Sequence, residues 1–175
     1  MNGHDLLPSW TEGAAKSAVL GFTESVTRPG GSYVPPPERI AAFDNDGTLW
    51  CEKPQYVQAD FLVRRWKQMV SAAVVQYRGG ELYRAGGVEQ PIDDGTGKPE
   101  HIWMRTGRTP LLAVGNADGD VPMLTTARFS ILIRHDDAER EFAYDTGAEQ
   151  ALAGAKEHGW TVVSMHNDFK AVFGP

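Results

Sequence analysis

The chain has 175 residues, enough for one domain with a hydrophobic core, and its apolar share of 41% is that of a folded globular protein. Acidic residues outnumber basic ones by 23 to 17, a formal charge of -6, which argues against general binding to nucleic acid or to an anionic membrane. Cys51 is the single cysteine, so an intrachain disulfide and a cysteine-based zinc cluster are both excluded.

Taken in order, Ser9-Trp10-Thr11-Glu12 has the pattern of a capping box opening a helix. Trp10, Ala14, Ala18, Phe22 and Val26 recur at fourfold spacing along one face of it, and Arg28 to Gly31 stops it. Tyr33 to Glu38 carries three prolines and reads as a stiff extended connector. Arg39 to Phe43 follows as a short strand, apolar on both faces like a central parallel strand. A helix is expected over 56–70, with Leu62, Trp66, Met69 and Val70 on one side. Ala72 to Ala85 reads as a β-hairpin whose arms flank Gly79-Gly80, a pair suited to a tight primed turn. Asp93 to Gly97 is a loop, and a short helix follows Pro99.

Leu111 to Val114 is a second apolar strand, ended by Gly115-Asn-Ala-Asp-Gly-Asp120. A helix begins near Val121, a third strand spans Phe129 to Ile133, a helix Asp145 to His158, and a fourth strand Trp160 to Ser164. Strands alternating with helices imply an α/β fold, a mostly parallel sheet covered by helices on both faces. The division expected is 1–38 as an N-terminal helix and Pro-rich connector and 39–175 as one α/β core. No apolar run approaches the roughly 20 residues of a membrane helix, and the N-terminus shows no signal-peptide pattern, so the expectation is a cytoplasmic protein with no membrane partner. His4, His101, His135, His158 and His166 are scattered without metal-ligand spacing, each reading as a surface or satisfied residue.

Two acidic loops follow the first two apolar strands, where open parallel sheets bind ligands. If those strands are neighbours, Asp44, Asp46, Asn116, Asp118 and Asp120 gather at one rim. Crowded carboxylates repel, so a cation is the natural neutraliser, and all-oxygen ligands favour Mg²⁺ over zinc or copper. Asp, Asn and Gly are also ordinary turn formers, and each loop taken alone reads as a turn.

Phe43-Asp-Asn-Asp-Gly-Thr-Leu49 resembles the first motif of the haloacid dehalogenase (HAD) superfamily, whose members are mostly phosphatases. Gly115-Asn-Ala-Asp-Gly-Asp-Val-Pro-Met-Leu124 resembles its last motif in the phosphoserine-phosphatase-like version, and Gly97-Lys98-Pro99 the segment carrying the family lysine. The resemblance implies a Rossmann-like HAD core, and a Mg²⁺-dependent hydrolase acting on a phosphorylated small molecule or another phosphomonoester. Asp44 would attack phosphorus and form an aspartyl-phosphate, and Asp46 would act as acid and then base. The turn at Gly47 and Thr48 would offer amides to the phosphoryl oxygens, and Lys98 would offset charge and orient the nucleophile. Asp44, the Asp46 carbonyl and an acid of the last motif would hold the metal. The usual acid after the first glycine is here Asn116, so Asp120 is placed ahead of Asn116, with Asn116 still in the shell and Asp118 read as solvent-facing.

A second family motif, a strand ending in Ser or Thr, should lie between Asp44 and Lys98, together with a helical cap. Only 54 positions separate the two residues, so the cap domain and that motif are expected to be absent. Ser71 is the candidate replacement hydroxyl, with Thr96 near Lys98 behind it. Losing one preorganised phosphate donor costs about 10²–10³ in rate. Weak or lost turnover is therefore expected, and the alternative is a non-catalytic metal- or phosphate-binding HAD-like remnant. Missing strands would also leave the first strand's edge open to the hairpin or to a second copy in a homodimer.

Overall fold

The computed structural model describes residues 6–53, 75–78, 81–84 and 95–171. The expected helix over 56–70, Ser71 and the glycine turn at 79–80 lie outside the described residues.

Four strands form one parallel sheet in the order β1-β4-β5-β6: β1 (Ala41–Phe43), β4 (Leu112–Gly115), β5 (Phe129–Arg134) and β6 (Thr161–Ser164). Phe43 pairs with Val114, which pairs with Ile131, so the C-terminal ends of β1 and β4 lie side by side. Two further strands, β2 (Val75–Arg78) and β3 (Glu81–Arg84), pair antiparallel as a separate two-stranded sheet. The described residues also form five α-helices, α1 (Ala14–Thr27), α2 (Gly97–Thr106), α3 (Val121–Thr126), α4 (Glu149–His158) and α5 (Met165–Asp168), and two 3₁₀ turns, Pro36–Glu38 and Asp118–Asp120.

Strand side chains alternate between two apolar layers, as the pleat requires. Ala113 and Leu132 join Met123, Leu124, Ala151 and Ala155 on one face, under α3 and α4, with Ile102 of α2 packed against them. Val114, Ile131, Ile133 and Val163 join Ala15 of α1 on the other, with Met165 and Phe169 beside them. The architecture is therefore α/β, a parallel sheet with helices on both faces. None of the described helices is long and apolar enough to cross a membrane.

Several expectations are corrected here. The capping box at Ser9 does not form; α1 starts at Ala14, with no side-chain cap. The backbone around it is already paired: Thr11 donates to the Asp168 carbonyl at 2.8 Å, and Lys170 to the Ser9 carbonyl at 2.7 Å. Pro36–Glu38 closes one 3₁₀ turn instead of staying extended, which proline permits in a first turn. Among the described residues β1 stands at the edge of the sheet, with nothing paired on its outer side, and Phe43 is 47% exposed. Trp103 of α2 is exposed, and Trp66 lies outside the described residues.

Candidate functional site

The two acidic loops meet. Asp44 follows the last residue of β1, and its amide donates to the Val114 carbonyl at 2.9 Å, extending the β1–β4 pairing by one step. Asp120 sits in a 3₁₀ turn (Asp118–Asp120) just beyond β4. Lys98 lies in the first turn of α2 and closes the gap: its Nζ donates to Asp44 Oδ1 and to Asp120 Oδ1, each at 2.6 Å. Three residues remote in sequence thus form one ion cluster at the C-terminal end of the sheet.

The two acids are held differently. Asp120 is completely buried, and its second oxygen accepts the amides of Asn116 at 2.9 Å and Ala117 at 3.0 Å. Gly115 permits this, since a Cβ there would lie 2.6 Å from the Asp120 side chain. Burial, then the Asp120 charge, push the Asp44 carboxyl above its ordinary value, against the pull of Lys98. Burial alone would lower Lys98; hydrogen bonds and charge from Asp120, then Asp44, overcome it and hold the ammonium above its usual range. One cation is shared by two acids, and Asp44 is the less compensated of them.

Asp46 lines the same cavity, its Oδ1 accepting the Trp50 indole N–H at 2.6 Å. Gly47 turns the chain with φ +80, and a Cβ there would lie 2.2 Å from Asn116 Nδ2. The amides expected to face a phosphoryl group are used inside the turn: Gly47 donates to the Trp50 carbonyl at 2.8 Å and Thr48 to the Asn45 carbonyl at 3.2 Å. The Thr48 hydroxyl donates to Asn116 Oδ1 at 3.2 Å. Asn116 is buried, and its Nδ2 reaches Glu52 Oε1 at 3.4 Å and the Tyr144 hydroxyl at 3.3 Å. Asp118 is not solvent-facing: its Oδ1 accepts the Ala151 amide at 2.9 Å and so caps α4. Thr96 is exposed just before α2. Cys51 is no activated thiolate, because burial, then Glu141, push its thiol up.

Sequence reasoning missed the support behind the turn. His135 is buried, with Nε2 against the Gly47 carbonyl at 2.6 Å and Nδ1 against Glu141 at 2.9 Å. Tyr144 stacks on its ring at 4.7 Å. Burial, then Glu52, push the Tyr144 phenol up, so it stays a neutral hydrogen-bonding group. Nothing in the local sequence marks these residues, since their roles depend on a strand and a loop far along the chain.

The cluster heads a cavity of about 790 Å³ lined by Ile40 to Asp46 and by one face of α2. Its oxygen-bearing side chains suit a hard cation: Asp44, Asp46 and Asn116 all line it. Mg²⁺ keeps several waters and needs only one or two protein carboxylates, which this set supplies. Among the described residues no three His, Cys, Asp or Glu side chains gather as a metal cluster, so a cation here would rest on few charges. Compared with known protein families and with curated proteins, the chain matches no family model and no curated protein.

Proposed function

We propose that the chain is a HAD-type hydrolase that cleaves phosphomonoesters with Mg²⁺ through an aspartyl-phosphate. The observation that carries the reading is the Lys98 ammonium held at 2.6 Å from both Asp44 and Asp120, which joins the three segments that resemble the HAD motifs. An Asp44 oxygen attacks phosphorus while the ester oxygen leaves, and Asp46 gives that oxygen its proton. Asp46, now a carboxylate, takes a proton from water as the water oxygen attacks the phosphoryl group. Asp44 is released with inorganic phosphate. The Trp50 indole fixes the Asp46 carboxyl between these two roles. Lys98 offsets the charge of the incoming ester.

We assign the cation to Asp44, the Asp46 carbonyl and the second acidic loop, Asp120 ahead of Asn116. Each of these side chains would exchange a hydrogen bond for the cation: Lys98 donates to Asp44 and Asp120, and the Thr48 hydroxyl to Asn116. When bound, the cation supplies positive charge to the phosphoryl oxygens.

A second reading, a domain that binds phosphate or metal without turnover, is favoured by one observation. Thr106 is the only Ser or Thr among the described residues lining the cavity, and its hydroxyl donates to the Ile102 carbonyl at 2.7 Å. The test is hydrolysis of p-nitrophenyl phosphate with and without Mg²⁺, beside Asp44→Asn. The hydrolase reading expects Mg²⁺-dependent release of nitrophenol that falls at least about 10³-fold in the variant. Equal rates for both proteins sink it. Calorimetric phosphate binding with no turnover favours the second reading.

A further inference from the structure

The cavity is much larger than one phosphoryl group needs, and its far end is basic. Lys98, His101, Ile102, Arg105 and Thr106 line it, the spacing of a single helix face over two turns. Lys98 is committed to Asp44 and Asp120, and Arg108, just past the helix, pairs with Glu38 at 3.5 Å on its own side of the loop. Arg105 lines the cavity and has no acidic partner among the described residues. Seven residues separate it from Lys98, about 10 Å along the helix axis. A chain of charge -6 repels anions in general, so a guanidinium that lines a cavity with no acidic partner among the described residues is a local reversal of the field. A guanidinium matches carboxylate and phosphate oxygens in a two-pronged fit.

We propose that the substrate is bis-anionic: a phosphomonoester whose body lies along α2 and carries a second oxyanion, carboxylate or phosphate, held by Arg105 about 10 Å from the reacting phosphorus. The proposal rests on the reading of Asp44 as the phosphoryl site. The apolar side of the cavity, Ile40 to Phe43, takes the linking carbons. Phosphomonoesters lacking the distal anion leave Arg105 unused and bind more weakly.

The experiment uses phosphonates, whose C–P bond survives ester hydrolysis, so binding is read apart from turnover. Calorimetry with Mg²⁺ compares hexane-1,6-bisphosphonate and 7-phosphonoheptanoate with hexylphosphonate on the full chain. A preference of about tenfold for either diacid over the monoacid is expected, the value of one charged hydrogen-bond pair. Whichever diacid wins names the distal group. Arg105→Ala should bring the ratio below about threefold, while Arg108→Ala retains it. Propane-1,3-bisphosphonate, too short to span the helix face, should gain no such preference. A ratio of one in the natural chain, a ratio kept in Arg105→Ala, or a ratio lost equally in Arg108→Ala overturns the proposal. Arg105-dependent binding without ester turnover would leave it standing while the hydrolase reading falls; turnover with a ratio of one would do the reverse. Failure of all these phosphonates to bind removes both.

Discussion

Two carboxylates share the Lys98 ammonium at the same distance, 2.6 Å, but in different surroundings. Asp120 is wholly buried and takes two backbone amides besides Lys98. Asp44 is raised by burial and by Asp120 and lowered by Lys98. Removing either neighbour should therefore move Asp44 in opposite directions. In metal-free protein, carboxyl ¹³C NMR should show Asp44 titrating above 3.8, higher still in Lys98→Met and lower in Asp120→Asn. Shifts of the same sign in both variants would contradict the geometry. The linkage has two signs as well. Because folded Asp44 holds its proton more tightly than the unfolded chain, its contribution to stability falls as pH rises from 3.8 through its folded value. Lys98 is raised, so its contribution is complete below 10.5 and is lost as pH rises through its folded value.

At the scale of the element, the turn from Asp44 to Trp50 is held from both sides. The Asn45 carbonyl accepts the amides of Thr48, Leu49 and Trp50 at 3.2, 2.9 and 3.3 Å, and His135 clamps the Gly47 carbonyl from β5's end. Gly47→Ala meets two obstacles, a positive φ and contact with Asn116. It should cost about 1–3 kcal/mol in urea unfolding. In an Asn116→Ala background part of that cost should vanish, leaving the φ penalty, a coupling a double-mutant cycle reads directly. Full additivity would mean that the Asn116 contact is not the obstacle. This turn also shows what the sequence carries and what it does not. Its acids, its glycine and the second acidic loop are legible because apolar runs ending in Asp, Asn and Gly are a local pattern. The strand and helix alternation after Leu111 is legible for the same reason. Lys98 is legible only through the family resemblance. His135, Tyr144 and the capping role of Asp118 are not, because each partner lies far away in the chain. The position of β1 at the edge of the described sheet is hidden too: an Ala-rich run has the same pattern at an edge as in the middle.

For the whole molecule, α1 and the C-terminal segment pack over Val114, Ile131 and Val163. The C-terminal segment is fastened by polar contacts as well as by the packing of Met165 and Phe169. Arg140 donates to the carbonyls of Phe169 at 2.7 Å, Met165 at 2.7 Å and His166 at 2.9 Å. Its Nε meets the buried Asp137 carboxylate. Burial alone would raise Asp137; hydrogen bonds from Arg140, then the Glu139 amide, hold it below its ordinary value. Arg140→Ala should lower Tm, both by releasing three carbonyls and by stranding a buried carboxylate. Two mechanisms predict different cycles. If the stranded charge dominates, Asp137→Asn should recover much of the loss, and Arg140→Ala should matter less in that background. If the carbonyl contacts dominate, the loss should persist unchanged. The depressed carboxyl settles the expectation: its contribution is present above 3.8 and is lost as pH falls through its lower folded value. The gap in Tm between the natural chain and Arg140→Ala should therefore narrow as acid protonates Asp137. A gap that stays constant into that range would assign the clamp to the carbonyls of α5 and Phe169 alone.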